Sequence, residues 1–423
     1  MADQETSAKD DIPSRRGFLL GLGAAGTTGV LGAARADSLP DDRDNDEDDG
    51  TQARLPFFGA HQSGVITPQP AAVLYVSFKT LASGRDDLDR LFRLLTERIA
   101  FLTQGGAAPR ADPRMPPPDS GVLGPTVFPD NLSITVSVGA SLFDDRFGLA
   151  ARRPRHLVRM QQFPNDALDA DQCHGDMLLT FCANTAETNI HALRDIIKHT
   201  PDLLAIRWKT EGFLPPHTIK KQGRDTVRNL LGFKDGTANL DTRDAPLMDR
   251  LIWVPPGRNE PGWAAGGTYQ VVRMIRMLVE RWDRTPLQEQ ENIFGRDKSK
   301  GAPLGETREH DTPDYAADPA GRRIRLDAHI RLANPRTADT EQSRILRRGY
   351  NYSRGVSSAG QLDMGLLFAC FQADLSAGFL TVQARLNGEP LEEYIKPFGG
   401  GYFFVLPGVA GPDDFFARGL LAT

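Results

Sequence analysis

Three short stretches of this chain combine residue types that do chemistry. The first is Gly232-Phe233-Lys234-Asp235-Gly236, followed by Thr237-Ala238-Asn239. Two glycines flanking one acid let the main chain lie against a flat or bulky ligand while the carboxylate projects inward. It is not a phosphate loop: the pattern G-x-x-x-x-G-K-[ST] is absent, and the central acid would repel phosphate. Read alone, the same residues also make an ordinary Asp-Gly turn. The second stretch runs from Asp327 through His329, Arg331 and Asn334-Pro335 to Arg336. Of the eight histidines, His329 is the one set in a short apolar run beside several basic groups. A neutral imidazole there could ligate iron, with Arg331 or Arg336 offering charge to ligand carboxylates. A hydrogen-bonded structural histidine fits the same residues. His310, between Glu309 and Asp311, is a rival metal ligand whose charged neighbours read as an exposed loop. The third stretch is Leu346-Arg347-Arg348-Gly349-Tyr350. On a strand, adjacent side chains face opposite ways, so one arginine enters a pocket while the other meets solvent. An inward arginine beside Asp235 would form an acid–cation pair suited to charge stabilisation. A surface ion-pair strand fits the pattern as well.

The elements that must position these residues fall into two similar halves. In the first, strands are predicted at 71–79, 131–138, 177–183 and 203–208. Helical spacing marks 86–102, with Leu88, Leu91, Phe92, Leu95 and Ile99 on one face, and 186–199, with Ile190, Leu193, Ile196 and Ile197 inward. In the second half, strands are predicted at 269–282, 345–352, 365–371 and 402–406, and helices at 286–294 and 374–386. Each half reads βαββαβ, which makes an α+β chain of two ferredoxin-like halves with antiparallel sheets, 57–215 and 216–423. The stretches 106–130 and 295–340 exceed ordinary connections and are read as functional insertions.

Composition narrows the class. The 423 residues are 40% hydrophobic and 25% charged, which excludes a polytopic membrane protein, a collagenous chain and wholesale disorder. A net charge of −5 gives no reason to expect a nucleic-acid partner. Cys173, Cys182 and Cys370 are too few and too oddly spaced for a disulfide framework or a metal site, and are read as small buried or semi-buried residues. At the N-terminus, Arg15-Arg16 precedes an apolar Gly/Ala-rich stretch that ends at Ala34-Arg35-Ala36. That layout is a twin-arginine signal over 1–36, so the expectation is export of the folded chain to the periplasm. Residues 37–56 form a linker whose acidic run, 41–49, is a solvated tether.

Taken together, G-x-x-D-G, the histidine of HIRLANPR, LRRGY and Gly400-Gly401-Tyr402-Phe403-Phe404 resemble the dye-decolorizing (DyP-type) haem peroxidases. The stretches LTQGGAAP, FPNDALDA, HALRDIIKHTPDLL, IFGRDK, GAPLG and GQLDMGLLF extend the resemblance from Phe57 to the C-terminus. It implies one haem b per chain in the C-terminal half, with His329 as axial ligand to the iron. It places Asp235 and Arg347 on the opposite face, Gly236, Thr237 and Ala238 along the haem edge, and Asn334, Pro335 and Arg336 near the propionates. Of Glu392 and Glu393, the latter aligns better with the acid that supports the ligating histidine. The implied reaction is reduction of hydrogen peroxide with one-electron oxidation of a reductant, the carboxylate shuttling a proton and the guanidinium stabilising charge. An acid rather than a histidine in that role implies an acidic optimum, and Trp or Tyr side chains would relay electrons from bulky reductants. The resemblance also implies release of iron from haem with the porphyrin intact. The partners it implies are the periplasmic and membrane components of a ferrous-iron uptake system, and a second copy in a homodimer. A non-catalytic haem-binding or delivery protein is the alternative, which would have no need of Asp235 and Arg347.

Overall fold

Runs rich in β-branched and aromatic residues alternate with amphipathic helices, and each takes its place in a sheet accordingly. The computed structural model describes residues 50–216, 226–257 and 259–422. The first half runs β1 (Ala72–Thr80), α1 (Arg85–Gln104), β2 (Ser133–Gly139), β3 (Met177–Ala183), α2 (Ala186–His199) and β4 (Leu204–Phe213). The second runs α3 (Ala245–Leu251), β5 (Thr268–Met277), α4 (Leu287–Phe294), α5 (His329–Ala333) and the two-residue β6 (Leu346–Arg347). It continues with β7 (Tyr350–Val356), β8 (Leu362–Gln372), α6 (Thr381–Leu386) and β9 (Ile395–Val405).

All pairings among these strands are antiparallel: β1 lies between β3 and β4 with β2 outside β3, and β5 lies between β8 and β9 with β7 outside β8. Each half is therefore a ferredoxin-like unit, and the fold is α+β. The halves join through Phe403–Val405 of β9 against Ser137–Gly139 of β2, and through Phe213 of β4 against Asn351 of β7. With β6 on β8, this makes one nine-stranded sheet whose ends are closed by the β5–β8 pairing.

Strand alternation divides labour between the two faces of the second half. Val272 and Met274 of β5 and Leu367 and Ala369 of β8 enter an apolar cluster with Val73, Tyr75 and Tyr350. Their neighbours Arg273, Ile275, Met277, Leu366 and Phe368 line a cavity on the other face.

The strand expected at 269–282 and the inward face expected of α2 differ from the structure. The strand expected at 269–282 stops at Met277, and Val279–Trp282 forms a helical turn that buries Trp282, whose Nε1 donates to the Leu231 carbonyl at 2.9 Å. On α2, Leu193 and Ile196 are buried, but Ile190 and Ile197 are exposed. The buried face instead carries Asp195, which receives two bonds from Arg98 (2.9 and 2.8 Å), and His191, bonded to Ser120 (2.8 Å). The bonds from Arg98 and Ser120 satisfy Asp195 and one ring nitrogen of His191 on the buried side of the helix. The three cysteines are free and buried. The leader 1–36 and the tether 41–49 lie outside the described residues.

Candidate active site

The loop that carries Asp235 is rigid for local reasons. Gly232 (φ +85°) and Gly236 (φ +102°) take left-handed conformations that glycine adopts without strain. Between them, Phe233 is buried, stacked on Phe294 (centroids 4.1 Å apart) and edge-on to Trp282 (6.0 Å). Asn229 Oδ1 accepts from the Leu231 and Phe233 main-chain N–H groups at 3.1 and 3.2 Å. From this base the Asp235 carboxylate reaches Arg347, whose Nη1 donates to Oδ1 at 2.7 Å. Lys234 pairs with Glu309, which also accepts from Thr226 (2.6 Å) and Thr237 (2.9 Å), so the second insertion is fastened to the loop. These donors outweigh the cost of burial and hold the Glu309 carboxyl below its ordinary range.

Arg348 does not meet solvent as the strand pattern suggested. It is buried and donates to the Thr67 carbonyl, because both faces of this strand are covered, one by the cavity and the other by the apolar cluster inside the sheet.

His329 opens α5, and its Nδ1 lies 2.7 Å from Glu389 Oε2. Burial alone would push this imidazole down, but the Glu389 carboxylate outweighs it and raises the group above its usual value. With Nδ1 engaged, Nε2 is the nitrogen left for a metal, the arrangement typical of ligating histidines. The supporting acid is thus Glu389, not Glu393 or Glu392. Glu393 is exposed and pairs with Arg281 at 3.0 Å, whereas Glu392 lines the cavity without bonding His329. Chain geometry explains the shift: Gly388 (φ +82°) turns the chain just before Glu389, and Pro390 starts a short helical turn that carries 392 and 393 onward. His310 is exposed, as its neighbours suggested.

Asp235, Gly236, Thr237, Ala238, His329, Asn334, Arg336 and Arg347 all line one cavity of about 260 Å³. Pro335 is not among its lining residues. Arg336 N donates to Asn334 Oδ1 (3.2 Å) and Arg336 sits at φ +58°, a tight turn that presents 334 and 336 and leaves 335 out. At this end the sequence reading missed Arg296, which is buried in the cavity wall and donates to the carbonyls of Gly301 (2.6 Å) and Glu309 (3.1 Å) rather than to a carboxylate. Its signal was the IFGRDK stretch that contains it. Arg336 Nε is buried without a hydrogen-bond partner among the described residues.

These features fit a haem. About half of the lining residues are aliphatic or aromatic, Leu366, Phe368 and Phe379 among them, and a carboxylate-supported imidazole is available. At one end stand Arg296 and Arg336, which have no acid partner among the described residues and which the propionates of a haem would suit. An acid–cation pair within the same cavity can move a proton and stabilise developing charge.

Comparison with known proteins gives the family. Two Dyp-type peroxidase family profiles match the chain, the N-terminal one over residues 62–214 and the C-terminal one over 226–410. The chain belongs to the Dyp-type peroxidases, a family of haem enzymes. Among its relatives is a protein of Escherichia coli K12 named deferrochelatase, 60% identical over 410 residues, 97% of each chain. A deferrochelatase of Yersinia pestis is 59% identical over 413 residues, 97% of this chain and 95% of that one. Among solved structures, a DyP-type peroxidase from Cellulomonas bogoriensis covers 88% of this chain and 99% of its own (TM-score 0.79, 35% identity). Ferric DtpA from Streptomyces lividans covers 88% and 98% (TM-score 0.79, 33% identity).

Proposed function

We propose that this chain reduces hydrogen peroxide at a haem b held by His329, oxidises a reductant by one-electron steps, and removes iron from haem with the porphyrin left intact. The observation that carries the first part is the Asp235–Arg347 pair, 2.7 Å apart, in the cavity that His329 also lines. When bound, haem b supplies the redox-active iron at which the O–O bond is cleaved. The Glu389 bond to Nδ1 orients the His329 ring and directs Nε2 to the metal. The Asp235 carboxylate carries a proton from one peroxide oxygen to the other. The Arg347 guanidinium stabilises the negative charge that builds on the departing oxygen. Arg296 and Arg336 would hold the propionate end of the haem. A haem carrier has no use for the acid–cation pair, and that reading is not favoured.

The iron-releasing activity rests on the name of the relatives, and the periplasmic setting on the leader. Arg15-Arg16 with the small-residue site Ala34-Arg35-Ala36 supports export by the twin-arginine route. There the chain acts as a homodimer beside the periplasmic and membrane components of a ferrous-iron uptake system.

Stopped-flow mixing of the holoenzyme with peroxide tests the site. Asp235→Asn is expected to slow the reaction by ~10²–10⁴-fold and Arg347→Leu by ~10²–10³-fold, both with haem retained. Parent rates in both variants would remove these residues from the reaction. Metal-free porphyrin among the products of haem incubated with the protein is the expected sign of iron release, and its absence overturns that part.

A further inference from the structure

Strand β6 carries Arg347, yet among the described residues it is paired on one side only, where Arg347 faces Cys370 and Leu346 faces Phe371 of β8. It is the last strand of the sheet order. On its open side stands the Asn239 carboxamide. Asn239 Nδ2 donates to the Arg347 carbonyl at 2.8 Å, and the Arg347 N–H donates to Asn239 Oδ1 at 2.9 Å. One side chain thus supplies both the donor and the acceptor that a neighbouring strand would have offered.

Asn239 also belongs to the turn that carries Asp235, since its own N–H donates to the Gly236 carbonyl at 3.0 Å. The acid and the arginine are therefore linked twice, by their side-chain ion pair and by this main-chain clamp four residues further along the turn. The ion pair alone is a weak positioner. The Arg347 side chain is 32% exposed, and a partly wet pair on a long flexible side chain contributes little order. Fixing the main chain from which the guanidinium extends removes much of that freedom.

We infer that Asn239 is a positioning residue for peroxide cleavage: its carboxamide holds the Arg347 main chain so that the guanidinium stays beside Asp235. The inference rests on the peroxidase reading of that pair. Only a carboxamide serves both bonds. Asn239→Asp keeps the shape but loses the donor and sets an anionic oxygen against the Arg347 carbonyl.

The test is a double-mutant comparison in the holoenzyme, using Asn239→Asp, Arg347→Leu and the two combined. Asn239→Asp should slow the reaction with peroxide by ~10–100-fold, the range expected when a charged group shifts by about an ångström. Haem content and KM for a bulky reductant should not change. Fluoride titration of the ferric protein gives a readout that does not depend on turnover, because fluoride on the iron accepts a hydrogen bond from a well-placed guanidinium. Its affinity should fall in Asn239→Asp and in Arg347→Leu. In the Arg347→Leu background, Asn239→Asp should add nothing further to either measurement. An equal added loss there, or parent behaviour of Asn239→Asp alone, overturns the inference. A parent rate in Arg347→Leu with haem in place instead overturns the peroxidase reading beneath it. Should Asn239→Asp not fold, Asn239→Ser, which is smaller and uncharged, goes through the same comparison with the same outcomes.

Discussion

Glu389 decides what His329 can do. Its carboxylate is almost fully buried and lies 2.7 Å from Nδ1, which orients the ring and leaves Nε2 for a metal. The charge also makes the imidazole a stronger donor of electron density to whatever it ligates. Glu389→Gln keeps a hydrogen-bond acceptor of the same size but removes the charge. Haem affinity, measured by titrating apoprotein, is expected to fall by about 10–100-fold, the usual effect of losing such a partner. His329→Ala should lose the proximal bond altogether and with it most of the bound haem. If Glu389→Gln bound haem as tightly as the parent, the carboxylate would be no more than a packing group.

Between residue and fold stand the segments that hold the cavity in shape. The insertion after α4 closes over one end through Arg296, Tyr315 and Arg336, and Glu309 fastens it to the Asp235 loop through Lys234, Thr226 and Thr237. The folded-state pKa of Glu309 is held below its ordinary value of 4.5. A depressed carboxyl contributes stability that is present above the unfolded value and is lost as pH falls through the folded one. Glu309→Gln should therefore lower the melting temperature at pH 7, and the difference from the parent should close as the buffer is taken below pH 4.5. A gap that stayed constant down to strongly acidic pH would mean that the ionised carboxylate does not hold the insertion.

At the scale of the whole molecule, the N-terminal half reaches into the cavity of the C-terminal half. Asp166 forms an ion pair with Arg273 of β5, both side chains 1% exposed, and both residues line the cavity. The Phe163 ring lies 5.3 Å from the same guanidinium. Removing one partner of a buried pair strands the other charge, so Asp166→Asn should destabilise the protein by about 3–5 kcal/mol. Denaturant unfolding measures this, and a change below about 1 kcal/mol would show that the arginine finds water or another acceptor. Export belongs to this scale too. With Arg15→Lys and Arg16→Lys together, precursor is expected to accumulate in the cytoplasm, as fractionation would show. Efficient arrival of the doubly substituted chain in the periplasm would remove the twin-arginine proposal.

Much of this was legible in residue order alone. The βαββαβ succession in each half follows from local periodicity, and Met177–Ala183 and Ala186–His199 have the limits that hydrophobic spacing predicts. The types and motifs that mark Asp235, His329 and Arg347 are likewise local. What residue order could not decide are contacts between distant points of the chain. Asp235 meets Arg347 112 residues away, and His329 meets Glu389 60 residues away. Glu389, Glu392 and Glu393 are chemically alike and nearly adjacent, so only the turn at Gly388 selects among them. Arg347 and Arg348 alternate as a strand requires, but whether the second meets solvent depends on what covers the far face, and here another half of the protein does. Ile190 and Ile197 look inward by periodicity, yet the buried side of the helix carries Asp195 and His191, whose partners lie on α1 and the first insertion. Local pattern fixes which elements form and which chemistry they can bear; the path of the chain through space fixes which groups meet.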